Sequence, residues 1–143
     1  MRSIGIVTLA FSVLIAERAV AESITACGQT VQYNITAPAP DVPADIRAFS
    51  GVWVGDWSKQ LCGVLIVESI DKDGTAQTKY VFGTNPGWGI ARPGVTPWTG
   101  KITNGVLRLP PNRNGIGVDY TMKSPSSLAG LYNGRTTGAF AKR

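Results

Sequence analysis

The side chain that chemistry most often needs is missing from this 143-residue chain: it contains no histidine. That absence excludes a Ser-His-Asp triad, the usual zinc and copper sites and the commonest general base at neutral pH. Carboxylates remain. Asp56, Glu68 and Asp119 fall on or beside expected strands, and a pair at the right separation would hydrolyse a glycoside, but nothing in the sequence fixes such a separation. Surface or turn-capping roles fit them better. Asp71-Lys72-Asp73-Gly74 opens like a calcium loop, yet the twelfth position is Phe82 where such a loop needs a bidentate glutamate, so it reads as a hairpin turn. The stretch Gly83 to Gly89 lacks the lysine of a phosphate-cradling loop. No catalytic residue, metal site or cofactor is expected, and the chain is read as a non-enzyme.

Cys27 and Cys62 are the only cysteines. A nucleophilic or metal-binding role would want a base beside the thiolate, and an even count in an exported chain favours a disulfide between them.

The aromatic side chains carry the strongest signal. Trp53, Trp57, Tyr80, Phe82, Trp88, Trp98, Tyr120, Tyr132 and Phe140 are many large rings for a chain of this length. Rings fill cores because they bury more area than other side chains, and that reading suits Trp53, Phe82 and Phe140. Trp88 differs, because it lies between Gly87 and Gly89 in a loop of about 13 residues running from 84 to 97, where most connections run to about 6. Long loops at barrel mouths commonly hold ligands. Trp88 and Trp98 are expected to stack on a ligand, Trp57 and Tyr80 to wall its cavity, Tyr132 to offer a hydroxyl and Arg92 to meet a negative group.

The elements that must position these residues begin after a targeting segment. Met1 and Arg2 are a short basic start, Ile4 to Ala16 an apolar run of 13, and Ala19-Val20-Ala21 the small residues of a cleavage site. Residues 1–21 therefore read as a signal peptide cut after Ala21, too short in its apolar part to span a bilayer. A lipidation pattern at Ile24-Thr25-Ala26-Cys27 competes, but Glu17 and Glu22 separate that cysteine from the apolar run. The product is expected outside the cytoplasm, in the periplasm or extracellular space. It keeps 122 residues, enough for one domain, with 14 − 2 basic and 9 − 1 acidic side chains, a net charge of +4. These charges are scattered, so neither nucleic acid nor a polybasic membrane contact is indicated, and no transmembrane segment is expected after cleavage. Asn34-Ile35-Thr36 is a formal glycosylation acceptor.

Residues 22–48 carry Pro38, Pro40 and Pro43 among small residues and read as an extended arm, with one helical turn over Asp45 to Phe49 capped by Asp45. From 49 onward, short apolar runs separated by turn residues indicate an all-β domain. Strands are expected at 51–57, 61–70, 76–83, 97–103, 105–110, 116–123, 127–133 and 136–142. Asp73-Gly74 and Asn104-Gly105 suit tight hairpins, and Val118, Tyr120 and Met122 alternate with Asp119, Thr121 and Lys123. Eight hairpin-linked strands with one buried face close most simply into an antiparallel up-and-down β-barrel, which also removes exposed edges.

Gly51-Val52-Trp53 on the first of these strands, repeated in spacing by Gly55-Asp56-Trp57, resembles the lipocalin and avidin (calycin) barrels, and the whole is similar to small exported proteins of Gram-negative bacteria. The resemblance implies a tryptophan packed across the barrel floor against a basic residue of the last strand, here Lys142 or Arg143. From its rings and its long 84–97 loop, and not from the resemblance, the chain is expected to hold a small apolar or aromatic ligand, or a glycan, at the barrel mouth. The alternative is a protein-interaction or inhibitor-type barrel with a filled core, whose Trp88 loop presses on a partner protein.

Overall fold

The computed structural model describes residues 21–143; the expected signal peptide lies outside them apart from Ala21. Ten strands form two sheets, accompanied by one short α-helix and one 3₁₀ turn. The first sheet is a hairpin of β1 (Ala21–Ala26) and β2 (Gln29–Asn34). After α1 (Ala44–Arg47) come β3 (Gly51–Trp57), β4 (Leu61–Ile70), β5 (Thr75–Phe82), β6 (Gly94–Thr103), β7 (Val106–Leu109), β8 (Val118–Ser124), β9 (Ser127–Tyr132) and β10 (Thr136–Lys142). These eight strands form a closed barrel in which every neighbour is antiparallel and β10 returns to pair with β3. This is the expected fold.

Closure depends on small residues where strands approach. Along β3 the inward positions read Gly51, Trp53, Gly55, Trp57, so that small and large alternate within the barrel. A Cβ on Gly55 would stand 2.0 Å from the Ala139 carbonyl oxygen, so only glycine lets β10 close against β3 there. At the α1 end the barrel is plugged by Phe49, Trp53, Leu65, Val67, Ile102 and Leu107, all fully or almost fully buried. The Trp53 indole N–H donates to the Phe49 carbonyl at 2.9 Å. Lys142 on β10 sets its Nζ 5.1 Å from the centre of the Trp53 ring and donates to the Ala48 carbonyl at 3.3 Å. The basic partner of this tryptophan is therefore Lys142.

Three details differ from expectation. The arm is more structured than its proline content indicates: residues 21–34 form the hairpin, turned at Cys27 and Gly28 with φ of 55° and 74°, and only the stretch 35–43 after it lacks strand and helix. The hairpin lies against the outside of the barrel, where Ile24, Val31 and Tyr33 meet Val52, Val64, Ile66 and Val81 in a second apolar core. Burying Ile24 and Val31 contributes about 1.5–3 kcal/mol each. The Cys27–Cys62 disulfide ties the hairpin turn to β4. Second, Asp45 does not cap α1; Pro43 holds the cap position, without a side-chain bond, because Asp45 lies inside the first turn. Third, β6 begins at Gly94, three residues before the expected start, and carries Pro97 within it opposite Lys79. The mouth loop is correspondingly shorter and spans 83–93.

Candidate ligand cavity at the barrel mouth

Opposite the plugged end the barrel is open. The 83–93 loop, the 110–117 loop and the turns after β3 and β9 surround a cavity of about 620 Å³, within the range of small-molecule sites. Its wall is aromatic and aliphatic: Tyr80, Phe82, Trp88, Ile90, Trp98, Ile116, Leu61 and Tyr132. Thr96, Asn112, Asn114 and Thr136 are its polar side chains, and none of its lining residues is charged.

Barrel alternation brings Tyr80, Phe82, Thr96 and Trp98 to the inner surface from two paired strands, Tyr80 standing opposite Thr96. Trp98 is fixed from both sides. Its indole N–H donates to the Pro110 carbonyl at 3.0 Å, and its ring meets Tyr80 edge-on at 5.9 Å and 87°. Trp88 ends a single 3₁₀ turn, Pro86–Trp88, which Gly89 terminates with φ of 74°. It is 39% exposed at the rim. The loop that carries it is clamped at its base, where Gln29 of the hairpin donates to the carbonyls of Phe82 at 3.1 Å and Gly94 at 3.0 Å. Asn85 and Ile90 close the loop upon itself by backbone hydrogen bonds. Across the mouth, Asn112 lines the cavity, and its Oδ1 accepts from the backbone N–H groups of Asn114 and Ile116, which leaves its amide nitrogen uncommitted.

Below the cavity lies Trp57. Its ring packs against Phe140 at 5.1 Å, Tyr132 at 5.6 Å and Tyr120 at 5.9 Å. Gly63, Gly130 and Gly138 make room for it, since a Cβ on Gly130 would come within 2.6 Å of the indole and one on Gly138 within 2.7 Å. Glycines from three strands thus serve a filled layer, and the empty space begins above it. Three polar atoms of this layer are buried without a protein partner: Trp57 Nε1, Tyr80 Oη and Tyr120 Oη. Burial pushes the Tyr80 phenol well above its ordinary value, the nearby Tyr132 adds to the shift, and the Trp57 indole opposes it without reaching hydrogen-bonding geometry. Burial, with Tyr80 as its neighbour, does the same to Tyr120. Both stay protonated across the ordinary pH range.

Of the six residues expected at a ligand site, the structure gathers Tyr80, Trp88, Trp98 and Tyr132 around one cavity and sets Trp57 directly beneath. Arg92 is separate: it is exposed on the outer part of the loop and does not line the cavity. The strand reading missed the contribution of Asn112 and Asn114, which a turn-rich loop opposite Trp88 would have signalled only once the barrel register was known. The three carboxylates considered for hydrolysis are dispersed over the outer surface. Asp56 accepts from the Lys59 backbone at 2.7 Å, Glu68 pairs with Lys79 at 3.1 Å, and Asp119 pairs with Arg108 at 3.0 Å. Asp71 to Gly74 forms the hairpin turn between β4 and β5, with Asp73 accepting from the Thr75 N–H.

Comparison with protein-family models, curated proteins and solved structures finds no match. A barrel hosts many unrelated functions, and what distinguishes this one is its cavity.

Proposed function

We infer that this protein is an exported, non-enzymatic binding module that holds a small apolar or aromatic ligand, or a glycan, at the mouth of its barrel. The observation that carries this reading is the uncharged cavity of about 620 Å³ framed by Trp88, Trp98, Tyr80 and Tyr132. Trp98 is a rigid stacking wall, because its own hydrogen bond and the Tyr80 contact fix its ring before any ligand arrives, which lowers the ordering cost of binding. Trp88 at the rim is the adjustable partner, and the asparagine and threonine side chains supply orientation.

The test is intrinsic tryptophan fluorescence during titration with fatty acids, aromatic metabolites and oligosaccharides, with Trp88→Ala as control. A saturable change that weakens in the variant is the expected result. Silence across the panel from a folded, oxidised sample would overturn the cavity reading. The exposure of Trp88 favours one second reading, a partner protein seated on the 83–93 loop, and that silent outcome would direct the search there.

A further inference from the structure

We propose that Gln29 is a positioning residue for the ligand loop and that the Cys27–Cys62 bond holds it there, so that an outer hairpin sets the affinity of a cavity inside the barrel. This coupling rests on the cavity reading above and adds to it what keeps the site in shape.

The 83–93 loop is closed on itself. Asn85 and Ile90 exchange backbone hydrogen bonds at 2.9 and 3.0 Å, and the Trp88 N–H donates to the Asn85 carbonyl at 3.0 Å. Residues 85–90 therefore move as one piece, and the place of Trp88 relative to Trp98 is set by the stems that join this piece to β5 and β6. The stems leave the barrel at Phe82 and Gly94, the last rung of the β5–β6 ladder. Ladder ends open before ladder middles, because the last rung is supported from one side only. A further tie, from the Asn85 amide to the Gln60 carbonyl, is longer at 3.3 Å.

Gln29 staples that rung. Its amide nitrogen carries two hydrogens and meets two carbonyls, one from each stem: Phe82 at 3.1 Å and Gly94 at 3.0 Å. Both partners only accept, so a side chain of the same size without donors cannot replace it.

The turn that carries Gln29 is pinned to β4 by the disulfide, two residues before it. The bridge also lies against the first residue of the loop. The Gly83 N–H donates to the Cys62 carbonyl at 3.1 Å, and a Cβ on Gly83 would rest 3.4 Å from the Cys62 Cβ and 3.5 Å from that of Cys27. The far end of the hairpin is held separately: Lys79 donates to the Gln32 carbonyl at 2.8 Å, and the Asn34 N–H donates to Glu68 at 3.3 Å. Losing the disulfide therefore frees the turn end, which carries Gln29, and leaves the rest of the hairpin docked.

Deuterium exchange of the disulfide-bonded chain, beside titration with N-phenyl-1-naphthylamine and with any member of the fluorescence panel that binds, tests this coupling. Gln29→Glu keeps the size of the side chain and sets a carboxylate against two carbonyls. It is expected to raise exchange in 83–93 and to weaken the probe, each by about 10-fold, on the scale of two such hydrogen bonds. Gln29→Met, which loses the donors without adding charge, should go the same way. A residue that only stabilised the barrel would lower the denaturant midpoint and leave the affinity of the folded chain unchanged. Paired Cys27→Ser and Cys62→Ser substitutions should raise exchange in 83–93 as well as in 21–34, and adding Gln29→Glu to them should weaken the probe by less than it does alone, since both act through one contact. Parental probe affinity or parental exchange in 83–93 in Gln29→Glu would overturn the assignment, and full additivity with the cysteine pair would overturn the link to the disulfide. If neither the probe nor any member of the panel binds the parent chain, the cavity reading has failed and the link to affinity fails with it, while exchange in 83–93 still decides whether Gln29 holds the loop.

Discussion

Trp53 and Trp57 face the same way from one strand, four residues apart, and differ in one bond: the first indole donates to Phe49 at 2.9 Å and the second has no partner. That contrast divides the barrel into an end built for stability and an end that leaves polar groups open. Deleting a polar group should therefore have opposite signs at the two ends.

Trp53→Phe removes a satisfied N–H and part of a ring at the plugged end, and is expected to cost about 2–4 kcal/mol. Tyr120→Phe removes a hydroxyl that has no partner, so stability should hold or rise by up to about 1 kcal/mol. Denaturant midpoints of the two variants measure both. A clear loss in Tyr120→Phe would mean that its hydroxyl is already satisfied.

Gly130→Ala sets a Cβ 2.6 Å from the Trp57 ring and 3.1 Å from the Phe140 ring, so the packed layer must shift to take it. A destabilisation of about 1–3 kcal/mol is expected, with a changed near-ultraviolet dichroism as the indole is displaced. A variant with parental stability and spectrum would show that the layer beneath the cavity is loosely packed.

The Cys27–Cys62 bridge closes a sequence separation of 35, for which the loop-entropy account gives about 3–4 kcal/mol. Paired Cys27→Ser and Cys62→Ser substitutions should lower global stability by that order and raise amide exchange first in residues 21–34. Exchange spread evenly over the barrel would show that the hairpin is held by its apolar face alone.

Alkaline conditions probe the buried phenols. Because burial raises the folded-state values of Tyr80 and Tyr120 above the ordinary value, the unfolded chain loses these protons first. Their contribution is therefore fully present below about pH 10 and declines as pH rises beyond it. Stability measured from pH 8 to 11 should fall along this limb, and Tyr80→Phe should flatten it. A limb unchanged in that variant would assign the loss to other groups.

The barrel was legible from its turns and alternation. Asp73-Gly74 and Asn104-Gly105 occupy the hairpins read for them, and Val118 and Tyr120 face inward as their spacing requires. The hairpin was less legible, because its buried apolar side chains are few, Ile24, Val31 and Tyr33, and Pro38, Pro40 and Pro43, which all follow it, give the stretch 22–48 the look of an extended arm. A signal was present in β4, whose run Val64-Leu65-Ile66-Val67 is buried on both faces and so needs a cover outside the barrel as well as a core within. At the site, the rings could be picked out by type and loop length. Their division into rim, wall and underlying layer could not, since it depends on how strand stagger places Trp57 below Tyr132 and sets the 110–117 loop across from Trp88.

The plugged end and the open end share strands but few side chains. Stability is vested in Phe49, Trp53 and their neighbours, whereas the rim is carried by connections whose length and residues can change without disturbing those contacts. Such an arrangement would let the rim be rewritten while foldability is left untouched, with the four rim connections as cassettes on a fixed stem.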